Sequence, residues 1–275
     1  MRFPDHLQIQ PLLNWRQLLP TTVTLAAMLA GFLSILVTFE GIRTDQPELF
    51  SRAAQLIMLA MILDGLDGNL ARRLKGTSDF GAELDTYVDL TAFGIAPALL
   101  IFAVTLQSKD PFWRVLLPSA VAMSGVVRLA RFKVRDPQRG QAGYTGLPIT
   151  ANAAWVALFV FISLTPPRDQ FSLAHGRVAT LFLVGIVVFV VFQVTNLRYP
   201  KPTKHAGLFW PCVVLVALLW CLRPEWAVRV AVVMIALGAV YVVIGPVFMK
   251  GLVAHKARRS AAQDGMNGRP PADGA

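Results

Sequence analysis

The chain has 275 residues, of which 55% are hydrophobic and only 15% are charged, and its formal net charge is +10. A soluble domain usually carries about 25% charged residues, so this composition argues against an ordinary soluble protein. The basic residues lie between apolar runs rather than in one patch, which indicates membrane topology and anionic headgroups and argues against nucleic acid as a partner.

Apolar runs follow one another along the chain after a short first segment. Residues 1–19 contain two prolines and two arginines without an apolar core, which predicts an interfacial segment rather than a cleaved signal. Eight apolar runs follow, at roughly 20–39, 49–74, 80–106, 112–132, 146–164, 177–197, 207–222 and 226–249. Because about 20 apolar residues cross a bilayer as a helix, we predict an all-α polytopic membrane bundle of about eight transmembrane helices.

The distribution of basic residues predicts the orientation of this bundle. Of the 26 Lys and Arg residues, 18 lie on the side of the N-terminus and 8 on the opposite side if the eight runs alternate. The positive-inside rule therefore predicts that both termini are cytoplasmic. Residues 251–275 are rich in Gly, Ala, Asp, Arg and Pro, which predicts a disordered cytoplasmic tail.

Acidic residues are concentrated in one part of the chain. Six of the 16 Asp and Glu residues fall between positions 64 and 89, and these are Asp64, Asp67, Asp79, Glu83, Asp85 and Asp89. Apolar sequence precedes and follows them, and carboxylates within membrane spans are costly unless they have partners. The nearby Arg72 and Lys75 are too few to neutralise six acids, so the sequence predicts bound cations.

The spacing of four of these acids places them on facing helices. Asp64 and Asp67 are i,i+3 and share one helix face, whereas Asp85 and Asp89 are i,i+4 and share a face of the next helix. The short connection contains Gly76, so the two helices are predicted to be antiparallel neighbours. Ligands that are all oxygens suit Mg²⁺ or Mn²⁺, and a pair of such ions suits phosphoryl transfer.

The stretch DGLDGNLARRLKGTSDFGAELDTYVDL resembles the signature of the CDP-alcohol phosphatidyltransferase family. The signature reads D-x2-D-G-x2-A-R, then eight residues, then G-x3-D-x3-D. Its eight positions are matched here by Asp64, Asp67, Gly68, Ala71, Arg72, Gly81, Asp85 and Asp89.

This resemblance implies a fold, a site and a reaction. It implies a six-helix membrane core over residues 20–200 with a cytoplasm-facing polar cavity, usually in a homodimer, followed by two additional helices over 201–250. The roles that it implies are two-metal binding by Asp64, Asp67, Asp85 and Asp89, proton abstraction by Asp89, and CDP-lipid binding by Gly68, Arg72, Ser78 and, from the Pro-x-x-x-Thr match at Pro20, Thr24. Helix capping by Thr21 or Thr22 is an alternative explanation of the threonines near Pro20.

A second stretch, RLARFKVRDPQRGQAGYTGLPIT, resembles the R-x-x-R-F and G-L-P region of phosphatidylserine synthases. Arg128 and Arg131 share a helix face, and their guanidinium groups suit the carboxylate of serine or the phosphates of the lipid. Topology alone is another explanation of arginines at a helix end. The resemblance implies transfer of a phosphatidyl group from CDP-diacylglycerol to L-serine, although Lys133 stands where the family usually has Asn.

Two other functions are compatible with the sequence. The acceptor could be glycerol phosphate, inositol phosphate or choline instead of serine. A divalent-cation transporter would also place carboxylates in the membrane. Of the two remaining acids, Asp79 is expected to cap the helix that begins near Phe80, and Glu83 is expected to face headgroups or a neighbouring subunit.

Overall fold

The computed structural model of the chain describes residues 14–105, 111–135, 144–165, 173, 176–199 and 206–266. Within these ranges the helices are α1 (Trp15–Thr44), α2 (Pro47–Leu74), α3 (Asp79–Val88), a π-helical segment (Asp89–Ile95), α4 (Ala96–Thr105), α5 (Pro111–Arg135), α6 (Ile149–Leu164), α7 (Gly176–Val194), α8 (Ala206–Cys221) and α9 (Pro224–Met266). Two-residue strands β1 (Tyr144–Thr145) and β2 (Arg198–Tyr199) pair in antiparallel fashion.

The predicted class of fold is confirmed. Six helical stretches in the described residues are long and apolar enough to cross a membrane, and the run Asp79–Val104 is one of them because α3, the π segment and α4 are continuous. Two apolar helices are shorter, Ile149–Leu164 and Trp210–Cys221. The chain is therefore a multi-pass membrane protein with an all-α bundle, and each of the eight predicted runs corresponds to one helical stretch.

Helix α1 begins earlier than predicted. Its N-cap is Asn14, and residues 15–19 therefore belong to the helix. The backbone N–H of Asn14 donates to the side chain of Gln17 at 3.2 Å. Capping by Thr21 or Thr22 is wrong, because both residues lie inside α1 and their hydroxyls donate to carbonyls of the preceding turn. The rest of the predicted interfacial segment, residues 1–13, lies outside the described residues.

Small residues allow α1 to approach its neighbours closely. A Cβ on Gly31 would lie 2.5 Å from the Cβ of Ala92, so the α1 backbone lies directly against the π segment. Further along α1, the buried Ser34 hydroxyl donates to the carbonyl of Ala53 in α2 at 2.9 Å. Contacts of this kind stabilise membrane bundles because lipid offers apolar side chains no incentive to associate.

The third span changes from α-helical to π-helical geometry where the sequence predicts a regular helix. From Asp89 to Ile95 the backbone is π-helical, and Ala92, Phe93 and Gly94 within it are buried. A π-helical turn contains an extra residue, and such turns occur frequently at functional sites. This segment begins at the fourth residue of the acidic cluster.

Helix α6 lies at the centre of the bundle. Between Asn152 and Ser163 nearly every residue is buried, which explains why this helix is apolar on all sides. It packs against α2, α7 and α9. Its 16 residues span about 24 Å, less than the roughly 30 Å of a hydrocarbon core.

Helix α9 extends past the boundary at residue 250 that the sequence analysis predicts. It begins at Pro224, three residues after α8 ends at Cys221, and it continues to Met266. The predicted disordered tail is therefore helical as far as Met266, and residues 267–275 lie outside the described residues. The physical reason is local, because residues 254–262 are rich in Ala, Lys and Arg, which favour helix.

Candidate active site

The α2–α3 hairpin brings the four aspartates to one level of the bundle. Asp64 and Asp67 lie about two to three turns before the end of α2, and Asp85 and Asp89 lie about the same distance after the start of α3. Lys75, with φ of 52°, ends α2 in the left-handed conformation and reverses the chain. The predicted antiparallel arrangement of the two acidic faces is thus present.

Three of the carboxylates form a tight group. Ligand oxygens of Asp64, Asp67 and Asp85 all lie within 4.8 Å of one another. The carboxylates of Asp64 and Asp85 are also within hydrogen-bond reach of each other. Asp89 stands outside this tight group but interacts electrostatically with Asp64, Asp67 and Asp85.

Such a group needs a counter-charge. Oδ1 of Asp64 and Oδ2 of Asp67 are inaccessible, and neither accepts a hydrogen bond from a described residue. An ionised carboxylate buried in this way beside two others is strongly unfavourable unless a cation or a proton is shared among them. The orphaned oxygens and the all-oxygen donor set therefore fit a hard divalent cation such as Mg²⁺ or Mn²⁺.

Three residues predicted to contact the CDP-lipid lie beside this cluster. The Thr24 hydroxyl is buried, donates to the carbonyl of Pro20 at 3.0 Å and lies within hydrogen-bond reach of Asp67. Arg72 interacts electrostatically with Asp67, and its guanidinium lies over Gly68, where a Cβ would be 3.6 Å from Nη1. Arg72 also donates to the side chain of Asn69 at 3.0 Å.

Ser78, the fourth such residue, has a structural contact of its own. It is the N-cap of α3, and its hydroxyl accepts a hydrogen bond from the backbone N–H of Gly81 at 3.1 Å. The expected cap at Asp79 is wrong, since Asp79 is already the first residue of the helix. A serine at this position satisfies a backbone donor that the helix start leaves without a partner.

The two arginines of α5 have different surroundings. Arg128 is buried and interacts electrostatically with Asp89, so it belongs to the same site as the acids. Arg131 instead donates to the carbonyl of Val194 and to the side chain of Asn196, both at the end of α7. The sequence pattern, which shows only that both lie on one helix face, does not distinguish them.

Glu83 has a partner other than the predicted headgroup or subunit neighbour. Its carboxylate forms an ion pair with Lys133 of α5. Both side chains are about half exposed, so the pair links α3 to α5 at the surface. Exposed pairs of this kind contribute little to stability, about 0–1 kcal/mol.

Several residues of this region carry roles that the sequence does not predict. Asn196 and the π segment carry no pattern that identifies them, and Gly146 is noticed only within the G-L-P resemblance. Gly146 has φ of 78°, and a Cβ on it would lie 2.5 Å from the carbonyl oxygen of Gln193. The structure thus assigns this glycine to a close contact with the end of α7.

Comparison with known proteins agrees with the geometry. Residues 17–192 match the family model of the CDP-alcohol phosphatidyltransferases. The chain belongs to this family. The matched range includes all four aspartates and both arginines, and the family assignment makes the protein a membrane-bound transferase of phospholipid synthesis.

Similar proteins extend the comparison beyond the family core. A CDP-diacylglycerol–serine O-phosphatidyltransferase of Helicobacter pylori is 29% identical over 254 residues, which cover 90% of this chain and 99% of the relative. One of Mycobacterium leprae is 37% identical over 219 residues, 76% of this chain and 68% of the relative. An archaetidylserine synthase of Methanothermobacter thermautotrophicus is 29% identical over 186 residues, 66% of this chain and 70% of the relative.

Proposed function

We propose that this transferase moves the phosphatidyl group of CDP-diacylglycerol to L-serine and releases CMP. The observation that carries the proposal is the convergence of Asp64, Asp67 and Asp85, together with the electrostatic interaction of Asp89 with these acids and with the buried Arg128. The names of three relatives in three organisms support serine as the acceptor.

Two divalent cations, Mg²⁺ or Mn²⁺, would be held by Asp64, Asp67, Asp85 and Asp89, and they would supply neutralisation of charge on the diphosphate. The orphaned oxygens of Asp64 and Asp67 support this assignment. The same observation weighs against plain helix packing as the role of these aspartates, because packing alone leaves both oxygens without partners.

In the proposed reaction the serine hydroxyl oxygen forms a bond to the β-phosphorus of the CDP-lipid. The bond from that phosphorus to the oxygen it shares with the α-phosphate breaks, and CMP leaves with the electron pair. Asp89 accepts the hydroxyl proton. Its position outside the tight group of three carboxylates supports the role, since a base needs one oxygen directed toward the acceptor rather than toward a metal.

The donor is proposed to lie along Gly68, Arg72, Ser78 and Thr24. Gly68 leaves the surface of α2 open next to Asp67, and the exposed Arg72 places a guanidinium there. A planar guanidinium suits phosphate oxygens. Ser78 would contribute from its cap position, and Thr24 would act through its contact with Asp67.

The acceptor carboxylate or a donor phosphate is proposed to bind Arg128. Arg131, the second arginine of the predicted pair, donates instead to the residues at the end of α7. The burial of Arg128 and its interaction with Asp89 support its role, because a buried guanidinium near the base can hold the acceptor next to the group that deprotonates it. Serine and the phosphorylated alcohols carry an anion that Arg128 can bind, whereas choline does not.

The site is proposed to face the cytoplasm, with both termini on that side. The excess of basic residues on this side supports the orientation. Accessibility of single cysteines introduced at Thr77 and at Asp45 would test the orientation, since the two turns are predicted to lie on opposite sides of the membrane.

A homodimer is proposed from the resemblance to the family. Residues 20–200 are proposed as the catalytic core, with two further helices after it.

One experiment tests the proposed reaction. Purified protein in detergent or vesicles is incubated with CDP-diacylglycerol and Mg²⁺ or Mn²⁺, with serine, glycerol phosphate, inositol phosphate or choline in separate reactions, and CMP and the lipid product are measured. We expect CMP release that depends on serine and yields phosphatidylserine. Equal or greater turnover with another alcohol would replace serine as the acceptor, and metal transport into vesicles without CMP release would favour the transporter.

A further inference from the structure

The end of α7 collects contacts from two other parts of the chain. The last carbonyls of a helix have no intrahelical donor. Here the carbonyl of Phe192 accepts from the backbone N–H of Leu147 at 3.0 Å, and the carbonyl of Val194 accepts from Arg131. We refer to residues 192–199, which carry these acceptors and strand β2, as the α7 terminus.

The G-L-P segment is attached to the same terminus. The backbone N–H of Gly146 donates to the carbonyl of Leu197 at 2.7 Å, and Thr145 pairs with Arg198 in the short β1–β2 ladder. Leu147 is fully buried. This segment leads directly into α6, so the α7 terminus holds the start of the central helix.

Arg131 joins α5 to this assembly. One side of its guanidinium donates to the Val194 carbonyl and the other to the Asn196 side chain, so the planar group spans the last turn of α7 and the residues after it. A positive charge at a helix C-terminus is also favoured by the helix dipole. Both hydrogen-bonding contacts of this side chain within the described part of the chain are made with the α7 terminus.

Arg128 lies one turn before Arg131 on the same face of α5. We propose that Arg131 is a positioning residue, which fixes the last turns of α5 against the α7 terminus and so holds Arg128 in place next to Asp89. The inference rests on the proposed serine transfer, and it assigns binding of the acceptor anion to Arg128 alone. Asn196 is a second positioning residue, because its side chain accepts a hydrogen bond from Arg131. It is distant in sequence from every motif of the family signature.

The structure favours positioning over direct binding for a physical reason. A guanidinium recognises a carboxylate through two parallel donors, and in Arg131 a donor on each of the two terminal nitrogens is already occupied. Three of its five N–H donors remain, but the two contacts fix the guanidinium at the α7 terminus, so it could not move toward an acceptor without releasing the Val194 carbonyl or Asn196. A small misplacement of a substrate-binding group costs up to about 100-fold in rate, so loss of the anchor should be measurable.

A kinetic comparison tests the proposal. We would measure kcat and the KM values for serine and CDP-diacylglycerol in Arg131→Ala, Asn196→Ala and the double variant, with Lys133→Ala as a matched control. We expect each single variant to raise the KM for serine on the order of tenfold. We expect the double variant to be no worse than Arg131→Ala, because Asn196→Ala removes one of the two contacts that Arg131→Ala already removes. The KM for CDP-diacylglycerol is expected to stay within about twofold of the unaltered value in every variant. Both KM values are expected to stay within about twofold in the Lys133→Ala control, since Lys133 makes only an exposed ion pair.

The kinetic outcomes separate the alternatives. A raised KM for serine in Arg131→Ala together with an unchanged value in Asn196→Ala would overturn the proposal in favour of direct binding by Arg131. Unchanged constants in all variants would also overturn it. If the unaltered protein releases no CMP with serine, the proposed function fails, and the next measurement still tests the anchor.

A cross-linking measurement needs no catalysis. Cysteines are introduced as Thr145→Cys and Arg198→Cys, two exposed and directly paired positions, after replacing Cys212 and Cys221 by alanine. Paired positions in antiparallel strands are close enough for a disulfide. We expect mild oxidation to form this disulfide several-fold more slowly when Arg131→Ala or Asn196→Ala is added, and unchanged with Lys133→Ala. An equal rate in all backgrounds would show that Arg131 does not hold the α7 terminus.

Discussion

Gly76 packs against the backbone of Arg16, where a Cβ would lie 2.0 Å from the carbonyl oxygen. The Arg16 carbonyl lies four residues before Pro20 in α1. Pro20 has no N–H, so the Arg16 carbonyl lacks the donor that a regular helix would supply. The α2–α3 turn thus lies against the start of α1, and this contact fixes the hairpin that carries all four aspartates.

We expect Gly76→Ala to destabilise the protein by about 1–3 kcal/mol, the usual cost of forcing an extra carbon into a packed site. The acids of the hairpin should shift with the turn, so activity should fall as well. Thermal unfolding in detergent and CMP release would measure both effects. The matched control is Gly238→Ala, because a Cβ there meets nothing within 4 Å. An unaltered melting temperature for Gly76→Ala would contradict the described contact.

The contact of Gly31 with Ala92 gives a second prediction, at the π segment. Gly31→Ala places a methyl group 2.5 Å from the Ala92 Cβ, so α1 and the π segment must separate. Because the π segment begins at Asp89, we expect lower stability and lower turnover together. Adding Ala92→Gly should not restore the unaltered values, because the Ala92 Cα still lies only 2.7 Å from the new methyl group. Melting temperature in detergent and CMP release measure the two effects, with Gly238→Ala as the matched control. Unaltered values of both in Gly31→Ala would argue against this contact.

Asp89→Asn is expected to leave the fold intact and to lower kcat on the order of 10²–10⁴-fold, the contribution typical of a general base. The amide keeps the size of the side chain but cannot accept the proton. Activity is measured by CMP release, and the fold by size-exclusion profile and melting temperature. Turnover near that of the unaltered protein would remove Asp89 from the mechanism.

Hydrophobicity and the Asp spacing predict much of this arrangement, and the misses have identifiable causes. Apolar runs locate the helices, and the i,i+3 and i,i+4 pairs correctly place Asp64 and Asp67 opposite Asp85 and Asp89. The π segment is missed, because an altered hydrogen-bond register leaves no mark on hydropathy. The contact of Arg131 with Asn196 is missed because it joins residues 65 positions apart. It depends on where α7 ends, and periodicity does not determine that end closely.

The metal prediction has a readout that does not require turnover. A metal ion that binds the folded state and not the unfolded state stabilises the protein. Mg²⁺ or Mn²⁺ should therefore raise the melting temperature of the unaltered protein. Asp67→Asn should weaken that shift, because it removes a charge from the group whose oxygens lie within 4.8 Å. The matched control is Asp45→Asn, in the turn after α1. We also expect activity to vanish in a chelator and zinc not to restore it. Full activity in a chelator would refute the metal site.

Arg128→Lys separates recognition of an anion from membrane topology. Lysine keeps the positive charge that orients a membrane protein, so the variant should insert normally. It lacks the planar pair of donors that a carboxylate accepts, so the contact with the acceptor should be lost. We expect the KM for serine to rise on the order of tenfold, with kcat less affected, if the contact is equally strong in the ground and transition states. Insertion is measured by yield in the membrane fraction, and both KM values by CMP release.

Arg114→Lys, at the other end of α5, is the matched control for charge in the same helix. A raised KM for CDP-diacylglycerol with normal serine kinetics would assign Arg128 to the donor phosphate. Normal values of both constants would reduce its role to topology, and serine as the acceptor would then be supported by the relatives alone.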